Sequence, residues 1–398
     1  MKNYLIVGNG VAGTTAAEHI RKIDMQGNVL IFSDEDFPFY WRIKLNEYLA
    51  GDINKDSLIV KKPQWYDQRR IEIRRNTRII GGDPVKKTVI SEDGQHFQFD
   101  SLLIATGSHS FIPPIKGSEK QGVFSLRNIR DAHHILQWAD CVNTVVLIGG
   151  GLLGLETGNA LRKRGKKVCV VEFFPRLLPR QLDSEGGKRL QDIMETMRFS
   201  FRLGTKTEEI TGNDSVTGVK LEDGDIISSE MVVISAGVRS NLDLAGPLGL
   251  ESDKGVQVDG HMRTNQGEIY AAGDVAEFQG ITYGIWPAAL DQGRIAGINM
   301  AGKEATYQGT TLSNVLKVIG IELASAGNID SENRMQSHFV RSEGVYKKIV
   351  IENNCIVGCI MLGETKAFHK ITQAISEKRD VSQIKDLIVA EGFDIKGI

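Results

Sequence analysis

The sequence carries one passage twice, and this repetition restricts the fold more than any other feature. Residues 4 to 13 read YLIVGNGVAG, and residues 145 to 156 read VVLIGGGLLGLE. Each is a short apolar run, as expected of a buried strand, followed by glycines in G-x-G-x-x-G spacing and then by a helical pattern. Gly8, Gly10 and Gly13 fill the first set; Gly149, Gly151 and Gly154 fill the second. The spacing answers a physical demand for a tight turn, a backbone that can touch a pyrophosphate, and a helix N-terminus whose N–H groups and dipole favour an anion. A single passage of this kind is weak evidence, since glycine-rich turns also serve structure alone. Two of them, each between strand and helix, point to two dinucleotide-binding units.

The repetition extends beyond the glycines. EDGQHFQFDSLLIATG at 92–107 aligns without a gap to EDGDIISSEMVVISAG at 222–237, sharing an Asp-Gly turn, an alternating strand, an acid, four apolar residues and a final small-x-Gly. Each unit also offers a carboxylate where a ribose needs one. The strand NVLIF at 28–32 leads to Asp34 and Glu35, and the strand VCVV at 168–171 leads to Glu172. Glu35 and Glu172 follow their fingerprints by about 20 residues, the spacing for accepting a hydrogen bond from a ribose hydroxyl. Glu172 would repel a 2′-phosphate and so favours NADH over NADPH, with Arg176 as a nearby counter-charge. A third strand, IYAAGD at 269–274, sets Asp274 either to bind a polyol hydroxyl or to cap a helix starting at Val275.

The 398 residues suit two nucleotide-sized units plus a smaller piece, and the formal charge of −2 lacks the basic excess of a nucleic-acid or membrane-surface binder. Cys141, Cys169, Cys355 and Cys359 show neither C-x-x-C nor zinc-ligand spacing, so all four are expected as buried packing residues in a protein of the reducing cytoplasm. Met-Lys-Asn leads straight into a strand, and no apolar run approaches the roughly 20 residues of a membrane span. The expectation is a protein neither exported nor inserted.

With two fingerprints, ATG at 105–107, AGVRSN at 236–241 and YAAGDV at 270–275, the chain resembles the pyridine nucleotide-disulfide oxidoreductase family over roughly residues 1 to 310. The resemblance implies an α/β fold with two Rossmann-like dinucleotide-binding domains and a small α+β C-terminal domain. It gives residues 1–110 and 240–308 to an FAD domain, 111–239 to an NAD(P)H domain and 309–398 to a small C-terminal, interface-like domain through which a homodimer is open. By matching positions, Gly8, Gly10, Gly13, Glu35, Thr106, Gly107, Gly273 and Asp274 would contact FAD, Gly149, Gly151, Gly154 and Glu172 would contact the nicotinamide nucleotide, and Gly237 is a further cofactor-binding candidate. Glu156 matches a family position near the flavin–nicotinamide junction, with Lys44 as its candidate partner, and it reads equally as a first-turn helix acid. Trp286 either covers the flavin or fills a core. Arg42 and Lys44 either bind FAD phosphate or add to a basic surface.

PFYWRIKLNEYLAG, PRLLPRQLD at 175–183 and IWPAALDQGRIAGINMAG at 285–302 are similar to NADH:rubredoxin reductases and to the flavin module of NADH-dependent nitrite reductases. The residues end without the iron–sulfur and siroheme regions of a nitrite reductase, so nitrite reduction by them alone is not expected. Thiol-using relatives carry a redox cysteine near the flavin, whereas no cysteine precedes Cys141 here. The implied function is therefore hydride transfer from NADH to FAD and passage of electrons to a one-electron protein carrier such as rubredoxin. An NADH oxidase, a flavin subunit of a larger reductase, and a redox-sensing NADH- and FAD-binding interaction protein are the alternatives. Because such carriers are commonly acidic, the run KKPQWYDQRRIEIRRNTR at 61–78 reads either as a docking patch or as a solvated face.

Overall fold

A computed structural model of the chain describes residues 1–310 and 313–383; of the expected C-terminal domain, residues 311, 312 and 384–398 lie outside the described residues. The chain divides into two compact units. The first comprises Met1–Lys44, Ile53–Ser110 and Val238–Thr310; the second takes in Leu45–Asp52, Phe111–Gly237 and the described residues of the C-terminal part.

Both units are built on a five-stranded parallel sheet, as an α/β fold requires. In the first the order is Ile269–Ala271, Ser101–Ile104, Asn3–Val7, Asn28–Phe32 and Ile71–Arg74. In the second it is Ser200–Leu203, Lys167–Glu172, Thr144–Ile148, Met231–Ile234 and Val123–Phe124. The repeated sequence folds into repeated structure. Ser101–Ile104 and Met231–Ile234 are buried at every residue and pair in parallel with Asn3–Val7 and Thr144–Ile148 respectively. The alternating segments become His96–Gln98 and Ile226–Ser228, edge strands of two three-stranded antiparallel sheets. The repeated acid is a structural clip in both copies. Asp100 accepts the Asn3 N–H at 2.7 Å while its own N–H donates to the Asn3 carbonyl at 2.9 Å. Glu230 does the same with Thr144, at 3.0 and 3.3 Å.

Helices cover the sheets. In the first unit Val11–Ile23 lies against Trp286–Met300, and small residues let the two backbones meet. A Cβ on Gly293 would stand 2.4 Å from the Ala12 carbonyl oxygen, and one on Gly297 would stand 2.5 Å from that of Ala16. In the second unit Leu152–Lys163 receives the short helix Leu45–Ala50, whose Asn46 side-chain oxygen accepts the Thr157 hydroxyl at 3.0 Å. The same unit includes a five-stranded antiparallel sheet in the order Ser313–Val318, Ile321–Gly327, Cys355–Leu362, Val345–Glu352 and Gln336–Ser342, followed by the helix Phe368–Ser376. A buried polar cluster fastens that sheet to the helix Ser184–Thr196. The fully buried Lys348 Nζ lies 3.4 Å from the Asp183 carboxylate, which accepts the Tyr346 hydroxyl at 2.6 Å and caps the helix through the Gly186 N–H.

Two expectations need correction. No helix begins at Val275: the chain turns there and enters the strand Ala276–Phe278, because the Ala276 N–H donates back to the Gly273 carbonyl. Cys141 is exposed, following the end of the helix Ile129–Ala139, whereas Cys359 is fully buried and its thiol is pushed up to about 12 by that burial.

Candidate dinucleotide sites

The glycines of each fingerprint divide by role. Gly8 has φ +120°, and a Cβ there would fall 2.0 Å from the Ala105 carbonyl oxygen; a Cβ on Gly13 would fall 2.0 Å from that of Gly8. Gly149, at φ +115°, and Gly154 are constrained in the same way, by Ser235 and by Gly149. These four are required by the fold itself. Gly10 and Gly151 are not: a Cβ on either would meet nothing within 4 Å. Each is the N-cap of its helix, Val11–Ile23 or Leu152–Lys163, and neither helix start has a side-chain cap. Bare backbone, open space and an uncapped helix N-terminus together fit a pyrophosphate.

In the first unit Asn9, between the glycines, accepts the Tyr66 hydroxyl at 3.0 Å, and that hydroxyl in turn accepts the Phe39 N–H at 3.0 Å. Glu35 accepts the Tyr40 hydroxyl at 2.6 Å and pairs with the Arg42 guanidinium, which also lies 5.1 Å from the centre of the Tyr40 ring. Glu35 and Arg42 are thus brought together. Lys44 is turned onto the Trp41 ring, with Nζ 5.4 Å from its centre. Trp286, partly buried at the start of its helix, stacks on Trp41 at 5.5 Å and packs obliquely on Phe39.

Thr106 and Asn241 exchange two hydrogen bonds, Thr106 Oγ1 donating to the Asn241 carbonyl at 3.1 Å and Asn241 Nδ2 donating to the Thr106 carbonyl at 2.8 Å. Ser108 donates to the Asp274 carboxylate at 2.8 Å, and Ser240 donates to the Asp274 carbonyl at 2.8 Å. Gly107, at φ +69°, has open space where a Cβ would be, and the Gly273 N–H is held by the fully buried Gln292 at 2.8 Å. Asn9, Tyr66, Ser108, Ser240, Asn241 and Gln292 are positioning residues that sequence reasoning passed over. Asn9, Tyr66, Gln292, Ser240 and Asn241 lie inside stretches singled out for other residues, whereas Ser108 lies just beyond one.

In the second unit Glu172 is 7% exposed. Its carboxylate accepts the Gly150 N–H inside the fingerprint at 2.5 Å and the Phe174 N–H at 2.8 Å. The loop after it returns to the fingerprint, the Leu178 N–H donating to the Gly150 carbonyl at 3.0 Å. Arg176 is committed to that loop, donating to the Leu182 carbonyl at 3.1 Å and lying 3.7 Å from Glu332. Gly237, at φ +101°, leaves open space like its counterpart Gly107. Glu156 accepts the Ile319 N–H at 2.9 Å. Burial raises its carboxyl above the ordinary value, against the opposing effect of that N–H and of Lys163.

Much of the basic run at 61–78 is neutralised, mostly by acids from other segments. Arg74 pairs with Glu72, Arg75 with Asp36, Arg78 with Asp243 and Lys61 with Glu18. Lys61 and Arg69 also flank the Trp65 ring, at 4.3 and 4.6 Å from its centre. This pairing favours the reading of a solvated face. Among the described residues no helix is long and apolar enough to cross a membrane, and no group of His, Cys, Asp or Glu could hold a metal ion.

Residues 2–305 match the pyridine nucleotide-disulphide oxidoreductase family, and residues 313–379 match the rubredoxin NAD+ reductase C-terminal domain. The chain belongs to the pyridine nucleotide-disulphide oxidoreductase family. Members of this oxidoreductase family use FAD and NADH. Similar proteins include a nitrite reductase [NAD(P)H] of Bacillus subtilis, 35% identical over 98% of this chain and 49% of the relative. An NADH-rubredoxin oxidoreductase of Clostridium acetobutylicum is 31% identical over 96% of this chain and 97% of the relative. A crystal structure of NADH:rubredoxin oxidoreductase from the same organism superposes with a TM-score of 0.84 at 30% identity, covering 98% of both chains. The chain spans about half the length of two Bacillus subtilis relatives, the nitrite reductase [NAD(P)H] and an assimilatory nitrate reductase electron transfer subunit.

Proposed function

We propose that this chain is an FAD-dependent oxidoreductase that takes hydride from NADH and passes electrons to a one-electron protein carrier, rubredoxin foremost, without a redox-active disulfide. The observation that carries the reading is the pair of open central glycines, Gly10 and Gly151, each at an uncapped helix N-terminus. Residues 1–110 and 240–308 would hold FAD, and residues 111–239 would hold NADH, with 309–398 as an accessory domain. The chemistry supplied by a bound flavin is acceptance of a hydride from NADH and release of electrons singly.

The chain's own residues bind and orient. Gly8, Gly10 and Gly13 present backbone to the FAD pyrophosphate, Glu35 receives a ribose hydroxyl with Arg42 beside it, and Thr106, Gly107, Gly273 and Asp274 line the same unit. Trp286, backed by Trp41, covers the flavin side of that unit. Gly149, Gly151, Gly154 and Glu172 serve NADH, Gly237 is a further cofactor contact, and Glu156 of this unit and Lys44 of the other are the proposed catalytic groups. The carrier assignment is supported by the relatives named as rubredoxin reductases and by the lack of a cysteine before Cys141. Anaerobic stopped-flow mixing with NADH is expected to bleach the flavin absorbance, and rubredoxin to restore it within the turnover time. Recovery no faster with rubredoxin than without it rejects the carrier. A second reading, a flavin subunit of a larger reductase, is favoured by the half-length match to the nitrite reductase.

A further inference from the structure

We propose that the C-terminal sheet takes part in the chemistry of the second unit: its hairpin turn at Ile319 positions the Glu156 carboxylate through a backbone N–H. The inference rests on the reading of that unit as the NADH-binding one and of Glu156 as a catalytic group. Among the described non-glycine residues with positive φ, Ile319, at +55°, is the only one whose side chain branches at Cβ. A branched side chain in the left-handed region is an outlier that persists only where its surroundings enforce it, and such residues gather at functional sites.

The turn itself shows what enforces it. Val318 and Ile321 pair at the ends of two antiparallel strands, leaving Ile319 and Gly320 as a two-residue loop with φ of +55° and +87°. Two positive values define the tight hairpin turn in which Asn-Gly is preferred, and isoleucine is kept there against that preference. Its side chain is 7% exposed and belongs to an apolar cluster with Leu49, Leu155 and Leu323. Its N–H lies outside the strand pairing and donates to Glu156, within the fingerprint helix, at 2.9 Å. A donor that the turn leaves bare and a carboxylate that the fold buries thus satisfy each other. Burial pushes the Glu156 carboxyl up; among the described side chains and backbone groups the Ile319 N–H opposes this most, ahead of Lys163 on the same helix, while Glu47, on the short helix packed against it, acts with burial. Without the N–H, burial is less opposed and the carboxyl ionises at higher pH.

The test uses the full FAD-loaded chain. With isoleucine isotopically labelled for NMR, the Ile319 amide shift is expected to inflect with pH above the ordinary carboxylate range, and to lose that inflection in Glu156→Gln. The rate of flavin reduction by NADH in stopped flow is expected to carry the same inflection. Replacing residue 319 by the α-hydroxy acid of isoleucine puts an ester oxygen where the N–H was, and is expected to move the inflection to higher pH by about one pH unit. Ile319→Gly keeps the N–H and relieves the backbone, and is expected not to move it upward. An amide shift indifferent to Glu156 overturns the proposal, as does a rate profile without the inflection or an ester variant that leaves it in place. An equal upward move in Ile319→Gly also overturns it, assigning the turn to packing alone. A wild-type flavin that NADH fails to reduce instead refutes the assignment of the unit, and the amide titration then still decides the contact.

Discussion

Under the proposed function Glu172 has two roles to satisfy with one carboxylate. It already holds the peptide N–H groups of Gly150 and Phe174, and each carboxylate oxygen has a further lone pair for a sugar hydroxyl. Glu172→Ala is expected to narrow the NADH over NADPH preference in kcat/KM by about tenfold or more, the scale of one lost hydrogen bond to a charged group. Equal use of both nucleotides by the wild type would remove Glu172 from the argument. Glu156 gives a pH signature. Its carboxyl is raised by burial, so its contribution to stability is complete below the ordinary carboxylate range and is lost as pH rises through the raised value. Glu156→Gln keeps an acceptor for the Ile319 N–H but does not titrate. The Tm of the variant relative to wild type is therefore expected to rise as the pH is raised from below the ordinary carboxylate range to above it, measured by calorimetry. The residues legible in the sequence were those whose backbone conformation or register leaves a local mark, such as Gly8, Gly149 and Glu172. Partners that meet from distant segments, such as Tyr66 with Asn9 or Asp243 with Arg78, leave no such mark.

At the scale of elements, the fingerprint helix is held by one kind of glycine and bordered by open space at another. Gly297→Val forces side-chain atoms against the Ala16 backbone and is expected to destabilise by about 2–3 kcal/mol, read as a lowered Tm. Gly10→Val meets open space, so the apoprotein is expected to melt within about 1 kcal/mol of wild type while FAD content on purification falls. Equal effects of the two substitutions would remove the distinction. The strands were legible because four consecutive apolar residues under an Asp-Gly turn specify a doubly buried parallel strand. The turn at Val275 was not legible, because Ala276–Phe278 is a strand only through its pairing with Val256–Val258. The ion pairing of the basic run was hidden for a similar reason, since Glu18, Asp36 and Asp243 lie far from it in the chain.

On the scale of the whole molecule, the two parallel sheets share four corresponding strands, while the fifth is the last in the chain, Ile269–Ala271, in one and the first, Val123–Phe124, in the other. The antiparallel C-terminal sheet is joined to the helix Ser184–Thr196 through a buried charge cluster. Lys348 donates to the Asp330 carbonyl at 2.6 Å and to Asn333 at 2.8 Å, besides facing Asp183. Lys348→Met leaves the Asp183 carboxylate buried without its cation and is expected to cost about 3 kcal/mol, measured by denaturant unfolding. Asp183→Asn in the same background is expected to recover part of that loss. The helix pair Val11–Ile23 and Trp286–Met300 also sets a timetable on the ribosome. At ~5–20 residues/s the partner of Ala12 and Ala16 is made about 10–40 s after the fourth parallel strand. During that interval the whole of Phe111–Gly237 has emerged, so the later-made nucleotide sheet can close while the earlier one still waits for its last strand and its covering helix.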